Sequence, residues 1–254
     1  MRCQVIAFSP TGGTAKAAEM VADVLGDSKS LVDLTDSTRD YSDVVMGEGD
    51  VALIAAPCFA GRVPAVAMER LAAVAGNGVP CVVMNVYGNR AFDDALLEMA
   101  DGAREAGFNV VAGIAAIAEH SIMHQFAAGR PNKADDERLA ELAAVIRRAL
   151  DEGRVVEAPA IPGNRPYLKA KAIPLVPAYA GSCSRCGRCA ADCPTAAIDG
   201  ETLKADREHC IACMRCAAEC PDGSRKVSSL MVKAASLAIK KEAEKPKEPE
   251  LFSV

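Results

Sequence analysis

Over residues 1–152, short apolar runs alternate with amphipathic stretches. Gln4–Ser9, Ser30–Asp33, Val51–Ala56, Pro80–Asn85 and Asn109–Ala118 read as strands. The central runs are apolar at nearly every position, as expected of strands covered on both faces. Between them Thr14–Leu25, Pro64–Ala75, Ala91–Ala106 and Asp135–Asp151 repeat apolar residues at helical spacing. Strands alternating with helices predict an α/β unit, a parallel sheet with helices on both sides.

The pattern breaks after residue 152. Pro159, Pro162, Pro166, Pro174 and Pro177, with Gly163 and Gly181, exclude regular elements from 153–181. Ile161, Tyr167, Leu168, Ile173, Leu175 and Val176 predict an ordered linker that packs on its neighbours. A Cys-rich module follows at 182–226, and 227–254 forms the C-terminal segment. There Ser228–Lys241 reads as one amphipathic helix. The charged, Pro-containing stretch Lys241–Glu250 is expected to fray.

Charge separates the same regions. Residues 1–150 carry 20 acids and 13 bases, and residues 151–254 carry 14 acids and 16 bases. The whole chain is at −5, without the basic stripe of a dedicated nucleic-acid binder. No stretch is long and apolar enough to span a bilayer. The first residues lack the long apolar core of a signal peptide, so the cytoplasm is the expected compartment. Aromatics make up 4%, with no Trp.

Eight of the eleven Cys fall between Cys183 and Cys220. In a reducing compartment, clustered thiols read as metal ligands before disulfides. They form an internal repeat of C-x2-C-x2-C-x3-C-P, first Cys183, Cys186, Cys189, Cys193 and Pro194, then Cys210, Cys213, Cys216, Cys220 and Pro221. Asp199-Gly200 between the repeats predicts a hairpin turn. Zinc sites normally use paired Cys separated by a longer loop, without a third Cys at this spacing. Soft thiolates so arranged suit an iron–sulfur cubane. The module resembles bacterial-type two-cluster ferredoxins over about 45 residues. That resemblance implies a small α+β domain with two [4Fe–4S] clusters. One would use Cys183, Cys186, Cys189 and Cys220, the other Cys210, Cys213, Cys216 and Cys193, since the fourth Cys of each run serves the other cluster. Cys3 and Cys81 read as small buried hydrophobes. Cys58 lies in a candidate cofactor loop.

At the end of the first strand, Ser9-Pro10-Thr11-Gly12-Gly13-Thr14 runs straight into a helix. Hydroxyls, glycines and a helix N-terminus make an anion site. The sequence has neither G-x4-G-K-[ST] nor G-x-G-x-x-G, which disfavours a nucleoside triphosphate and a dinucleotide. Ser9, Thr11, Gly12, Gly13 and Thr14 resemble the phosphate loop of flavodoxins. With five strands in about 120 residues, that resemblance implies a flavodoxin-like doubly wound five-stranded parallel sheet binding FMN. Two further loops would flank the isoalloxazine. Pro57, Phe59, Ala60 and Gly61 follow the third strand; Asn85, Tyr87, Gly88 and Asn89 follow the fourth. Phe59 and Tyr87 offer aromatic faces, with closure of the core edge as the structural alternative. Arg62 and Arg90 stand where flavodoxins are usually acidic. A cation near the flavin would raise its potential, but Arg62 could equally be solvated or face the phosphate. His120 and His124, four apart, lack an evident third metal ligand, and the 119–124 segment is expected to pack beside the flavin loops.

The arrangement resembles flavodoxin–ferredoxin fusions of anaerobic bacteria and archaea. It implies an electron-transfer protein relaying electrons between FMN, two [4Fe–4S] clusters and a redox partner. The alternative is an FMN-dependent reductase acting on NAD(P)H, a quinone or another small acceptor, with the clusters as internal wire. A redox-sensing module is a third reading should FMN be absent.

Overall fold

The structure, a computed structural model, describes residues 1–155 and 159–253. Residues 156–158 of the linker span and 254 lie outside the described residues. The N-terminal unit runs β1 (Arg2–Ala7), α1 (Gly13–Leu25), β2 (Ser28–Asp33), β3 (Asp50–Pro57), α2 (Ala65–Ala72), β4 (Pro80–Tyr87), α3 (Ala95–Glu105), β5 (Asn109–Ile117) and α4 (Lys133–Asp151). The five strands pair in parallel in the order β2-β1-β3-β4-β5. That is the flavodoxin-like strand order, with a topological switch beside β1 and β3.

Two apolar layers hold the sheet. Alternate residues of one strand point to opposite faces, so β3 sends Leu53 into one layer and Ile54 into the other. Each is fully buried, and burying such a side chain stabilises the fold by about 1.5–3 kcal/mol. The helices α1 and α4 contribute Val21, Leu25, Leu139 and Ile146 to one layer, and α2 and α3 contribute Leu71, Leu96 and Met99 to the other. Helix α4 starts at a capping box: Asn132 Oδ1 accepts from Ala134 N and Asp135 N, while Asp135 Oδ2 accepts from Asn132 N at 2.8 Å.

Two predicted helices come out shorter. The stretch predicted as Ala91–Ala106 is helical only over Ala95–Glu105, because Asp93 takes a left-handed φ of 45° and ends a tight turn. The stretch Pro64–Ala75 is helical over Ala65–Ala72, since Ala75 bridges instead to Val45.

The second unit comprises β6 (Ala178–Tyr179), α5 (Arg188–Ala191), α6 (Arg215–Ala218) and β7 (Arg225–Lys226). The sequence repeat is also a backbone repeat, offset by 27 residues. Left-handed φ recurs at Arg185 and Ala212, at Gly187 and Met214, and at Ala196 and Gly223. β6 pairs antiparallel with β7. The turn predicted at Asp199-Gly200 extends to Lys204, with Asp199 N donating to Lys204 O at 3.0 Å.

The C-terminal stretch does not fray. After α7 (Ser229–Ala243), β8 (Glu250–Phe252) adds an antiparallel strand to the open edge of β5. Leu251 and Phe252 alternate, Leu251 packing on one core layer and Phe252 on the other. Charge and proline dominate this stretch in the sequence; the edge strand offering its backbone does not show there.

Residues 164–168 of the linker are tied to α3 and the turn before it. Asp94, 1% exposed, accepts from Asn164 N at 2.9 Å and Leu168 N at 2.7 Å. Arg165 and Tyr167 both reach Asp101.

Candidate functional site

At the carboxyl ends of the strands lies a cavity of about 360 Å³, within the range of small-molecule sites. The first loop enters through Thr11, Gly13 and Thr14. Gly12, at φ 86°, turns the chain into α1. Ser9 shapes this loop: its hydroxyl accepts from Ala15 N at 2.9 Å, and its N–H donates to Thr35 Oγ1 at 2.8 Å. Gly12 gives α1 no side-chain cap and the first turn holds no acid, which leaves helix-start amides for an anion. The Lys16 ammonium is engaged elsewhere, donating to Pro131 O at 2.7 Å.

The second loop makes a reverse turn. Phe59 N donates to Arg62 O at 2.8 Å, with Ala60 and Gly61 at φ 52° and 87°. Two successive positive φ values mark a type I′ turn. Pro57, Phe59, Ala60 and Gly61 all line the cavity. Cys58 joins them as a neutral thiol, pushed up to about 12 by burial.

From the third loop, Tyr87 and Gly88 line the cavity. Tyr87 is 4% exposed and meets Phe92 edge-on, with ring centroids 5.5 Å apart. Asn85 and Asn89 are placed differently. Asn85 is fully buried, its amide donating to Ala56 O at 3.1 Å. Asn89 donates to Ala243 O and Lys245 O. Neither lines the cavity.

The arginines are paired. Arg62 binds Glu98 through both carboxylate oxygens and stacks on Tyr167 at 4.9 Å, away from the cavity. Arg90 borders the cavity but is held by Asp93 at 2.5 and 2.7 Å.

Further lining residues come from outside the three loops. The turn after β5 brings His120, Ile122 and Met123. The linker adds Lys171, Ile173 and Leu175, the Cys-rich module adds Ala212, and α7 adds Ile239. The 119–124 segment lies beside the cavity loops as expected, but no periodicity marks the others. Three-loop convergence, open helix-start amides and flanking aromatics fit a phosphorylated flat ring such as FMN.

The eight repeat cysteines sort into two groups. Cys183, Cys186, Cys189 and Cys220 line one small cavity; Cys193, Cys210, Cys213 and Cys216 line another. Each group draws three thiols from one repeat and the fourth from the other. Among the described residues, no three His, Cys, Asp or Glu converge as ligands of a single metal ion. A cubane does not require that, because each thiolate binds a different iron.

Amide donors surround the sulfurs. Ala197 N lies 3.3 Å from Cys193 Sγ, and Ser224 N is 3.3 Å from Cys220 Sγ. Arg225 Nη2 lies 3.4 Å from Cys189 Sγ. The Ser224 hydroxyl and nearby amides hold Cys220 down at about 7. Burial pushes Cys213 up to about 11 and Cys216 up to about 12. Such buried thiols ionise when a metal supplies the compensating charge, so the donor set suits iron–sulfur clusters.

The two units meet at this edge. Ile211 packs on the flavodoxin-like core, and Arg215 Nη1 donates to Pro10 O at 3.3 Å. Arg70 bridges Leu34 O and Pro194 O.

Residues 178–225 match the family model of a 4Fe-4S dicluster domain. No curated protein matches the chain. Similar solved structures include an archaeal flavodoxin, at 16% identity and TM-score 0.45, covering 59% of this chain and 99% of its own. A Streptococcus pneumonia TIGR4 flavodoxin reaches 22% identity and TM-score 0.42, over 59% of this chain and 99% of that one. A Fusobacterium nucleatum flavodoxin mutant bound to flavin mononucleotide shares 13% identity at TM-score 0.39, over 60% and 96%. No helix among the described residues is long and apolar enough to cross a membrane. The chain thus joins an α/β unit with the flavodoxin-like strand order to a Cys-rich module that matches the 4Fe-4S dicluster domain family over residues 178–225.

Proposed function

We propose that the protein transfers electrons between FMN, two [4Fe–4S] clusters and a redox partner. One observation carries the reading: Ala212, set between Cys210 and Cys213, lines the same cavity as Thr14 and Tyr87. A thiol loop therefore abuts the flavin cavity, the close approach an internal relay requires.

Thr11, Gly13, Thr14 and the amides at the start of α1 would hold the FMN phosphate. Phe59, Ala60, Gly61, Tyr87 and Gly88 would flank the ring. Cys193, Cys210, Cys213 and Cys216 would hold the cluster next to the flavin, and Cys183, Cys186, Cys189 and Cys220 the other. Bound FMN exchanges electrons singly or in pairs, and a [4Fe–4S] cluster exchanges them one at a time. Burial of Cys193 and Cys213 excludes water from the nearer site, whereas Cys186 is exposed. We place the protein in the cytoplasm, where reduced thiols persist.

The test is anaerobic purification with FMN, iron and acid-labile sulfide analysis, then reduction trials. We expect about one FMN, about eight iron and about eight sulfide per chain. Reduced ferredoxin should bleach the flavin, and NADH or NADPH should not. Turnover with a nicotinamide would favour the reductase reading instead, and a chain without flavin would leave neither.

A further inference from the structure

His120 sits in the turn after β5 and lines the cavity beside Gly88. Its imidazole Nδ1 accepts from two backbone amides, Ile122 N at 3.2 Å and Met123 N at 3.3 Å. An atom that accepts two N–H groups carries no proton, so the ring proton of neutral His120 is on Nε2. Among the described residues, no other residue accepts from Nε2–H, and it is not a buried orphan either.

The turn itself does not require an imidazole. An Asn or Asp side chain accepts from amides two and three residues on in the same way. The histidine adds a donor on the opposite edge of a rigid ring. That ring is tightly seated: a Cβ on Gly88 would come within 2.8 Å of His120 Cβ, Cγ and Cδ2. Gly88 thus lets the third flavin loop close against the edge that carries Nε2. The group also stays neutral, since burial drives its pKa down to about 4.

Resting on the FMN reading above, we propose that His120 binds the cofactor, its Nε2–H donating to an acceptor atom of the isoalloxazine ring.

The decisive variant is His120→Asn, whose Oδ1 keeps the turn's acceptor while its Nδ2 falls in the place of Cδ2, one bond short of the Nε2 donor. Titrations of FMN and of riboflavin into full-length, cluster-loaded protein stripped of flavin give the two dissociation constants. Loss of one neutral hydrogen bond corresponds to a roughly 2- to 13-fold weakening, and it should be equal for the two flavins. His120→Gln, one methylene longer, can carry its amide N–H out to the Nε2 position and should recover part of it. Unchanged binding of both flavins overturns the assignment, and weakening for FMN alone moves the contact to the phosphate and overturns it too. If the wild-type protein binds no FMN, the FMN reading itself has failed, an outcome visible before any variant is made.

Discussion

The Lys247 ammonium donates to the backbone carbonyl of Asn89 at 2.6 Å, and Asn89 reaches back toward the same segment. The Asn89 amide donates to Ala243 O at 2.7 Å and to Lys245 O at 2.9 Å, capping the end of α7. Arg130 Nη1 adds a bond to Lys247 O at 3.0 Å, and Lys247 stands 5.8 Å from the Tyr87 ring centre. The C-terminal strap and the loop after β4 therefore hold one another.

Replacing Asn89 with Ala should loosen both. Two carbonyls lose a buried donor, a change of about 1–3 kcal/mol. At about 2–4 °C per kcal/mol, thermal melting should fall by several degrees. Trypsin should then cut after Lys247, a bond that resists cleavage in the intact protein; Lys245 precedes Pro246 and is no trypsin site. Unchanged melting and cleavage would show that β8 alone fastens the strap.

Thr14→Ala removes a hydroxyl at the start of α1 and leaves the backbone donors in place. A hydrogen bond to a charged group contributes about 1.5–3 kcal/mol. FMN binding should weaken roughly 10- to 150-fold, with riboflavin unaffected, as measured by fluorescence titration. Equal behaviour of the two ligands would make Thr14 a part of the turn and not of the phosphate site.

Cys193→Ala should disturb the cluster of Cys210, Cys213 and Cys216, although Cys193 follows Cys189 in sequence. Cys193 lines the cavity of the second repeat, and Ala197 N is 3.3 Å from its sulfur. Iron analysis with low-temperature EPR of the reduced variant should show one altered signal, belonging to the buried cluster. An altered signal from the Cys183–Cys189 loop would reverse the assignment.

Regular chemistry was legible in the sequence and irregular contact was not. Val51–Ala56 announces a central strand because every position is apolar, and Cys183–Pro194 announces its loop because thiol spacing is restrictive. Asn85 and Asn89 read as flavin contacts because they follow a strand end beside Tyr87. Their amides answer instead to carbonyls of Ala56 and of α7, partners 29 and 154 residues away. Leu251 and Phe252 form an edge strand, yet charge and proline before them read as a loose tail. Lys171, Ile173 and Ala212 reach the cavity only because the second unit folds back over the first, and no local period records such a return.

Acid should destabilise the protein through His120. Its folded pKa lies near 4 against 6.5 in the open chain. Between those values the unfolded chain takes up a proton that the folded one refuses. The resulting stability is fully present above about 6.5 and is lost as pH falls toward 4, at up to about 1.4 kcal/mol per pH unit. Melting curves at pH 7.5 and 5.5 should fall further for wild type than for His120→Asn, which lacks the titrating ring. Parallel losses would assign the acid sensitivity to other groups.

Asp94 controls the position of the linker. Asp94 is 1% exposed, and among the described residues its carboxylate accepts from that segment alone: Asn164 N at 2.9 Å and Nδ2 at 3.1 Å on one oxygen, Leu168 N at 2.7 Å on the other. Three residues further on from Leu168, Lys171 begins the stretch that lines the cavity at the strand ends through Ile173 and Leu175. Asp94→Ala leaves the two backbone donors without an acceptor, and hydrogen bonds to a charged group contribute about 1.5–3 kcal/mol each. The Arg165 and Tyr167 contacts to Asp101 remain, so the linker should open locally while both folded units persist. Limited proteolysis reads this directly. The intact protein should resist cutting at Lys169 and Lys171, whereas the variant should be cut there early and give two stable fragments. Covering segments set ligand escape, so FMN should also dissociate faster from the variant. Resistance at both lysines with unchanged FMN release would show that Asp101 and the apolar contacts of Leu175 suffice to seat the linker.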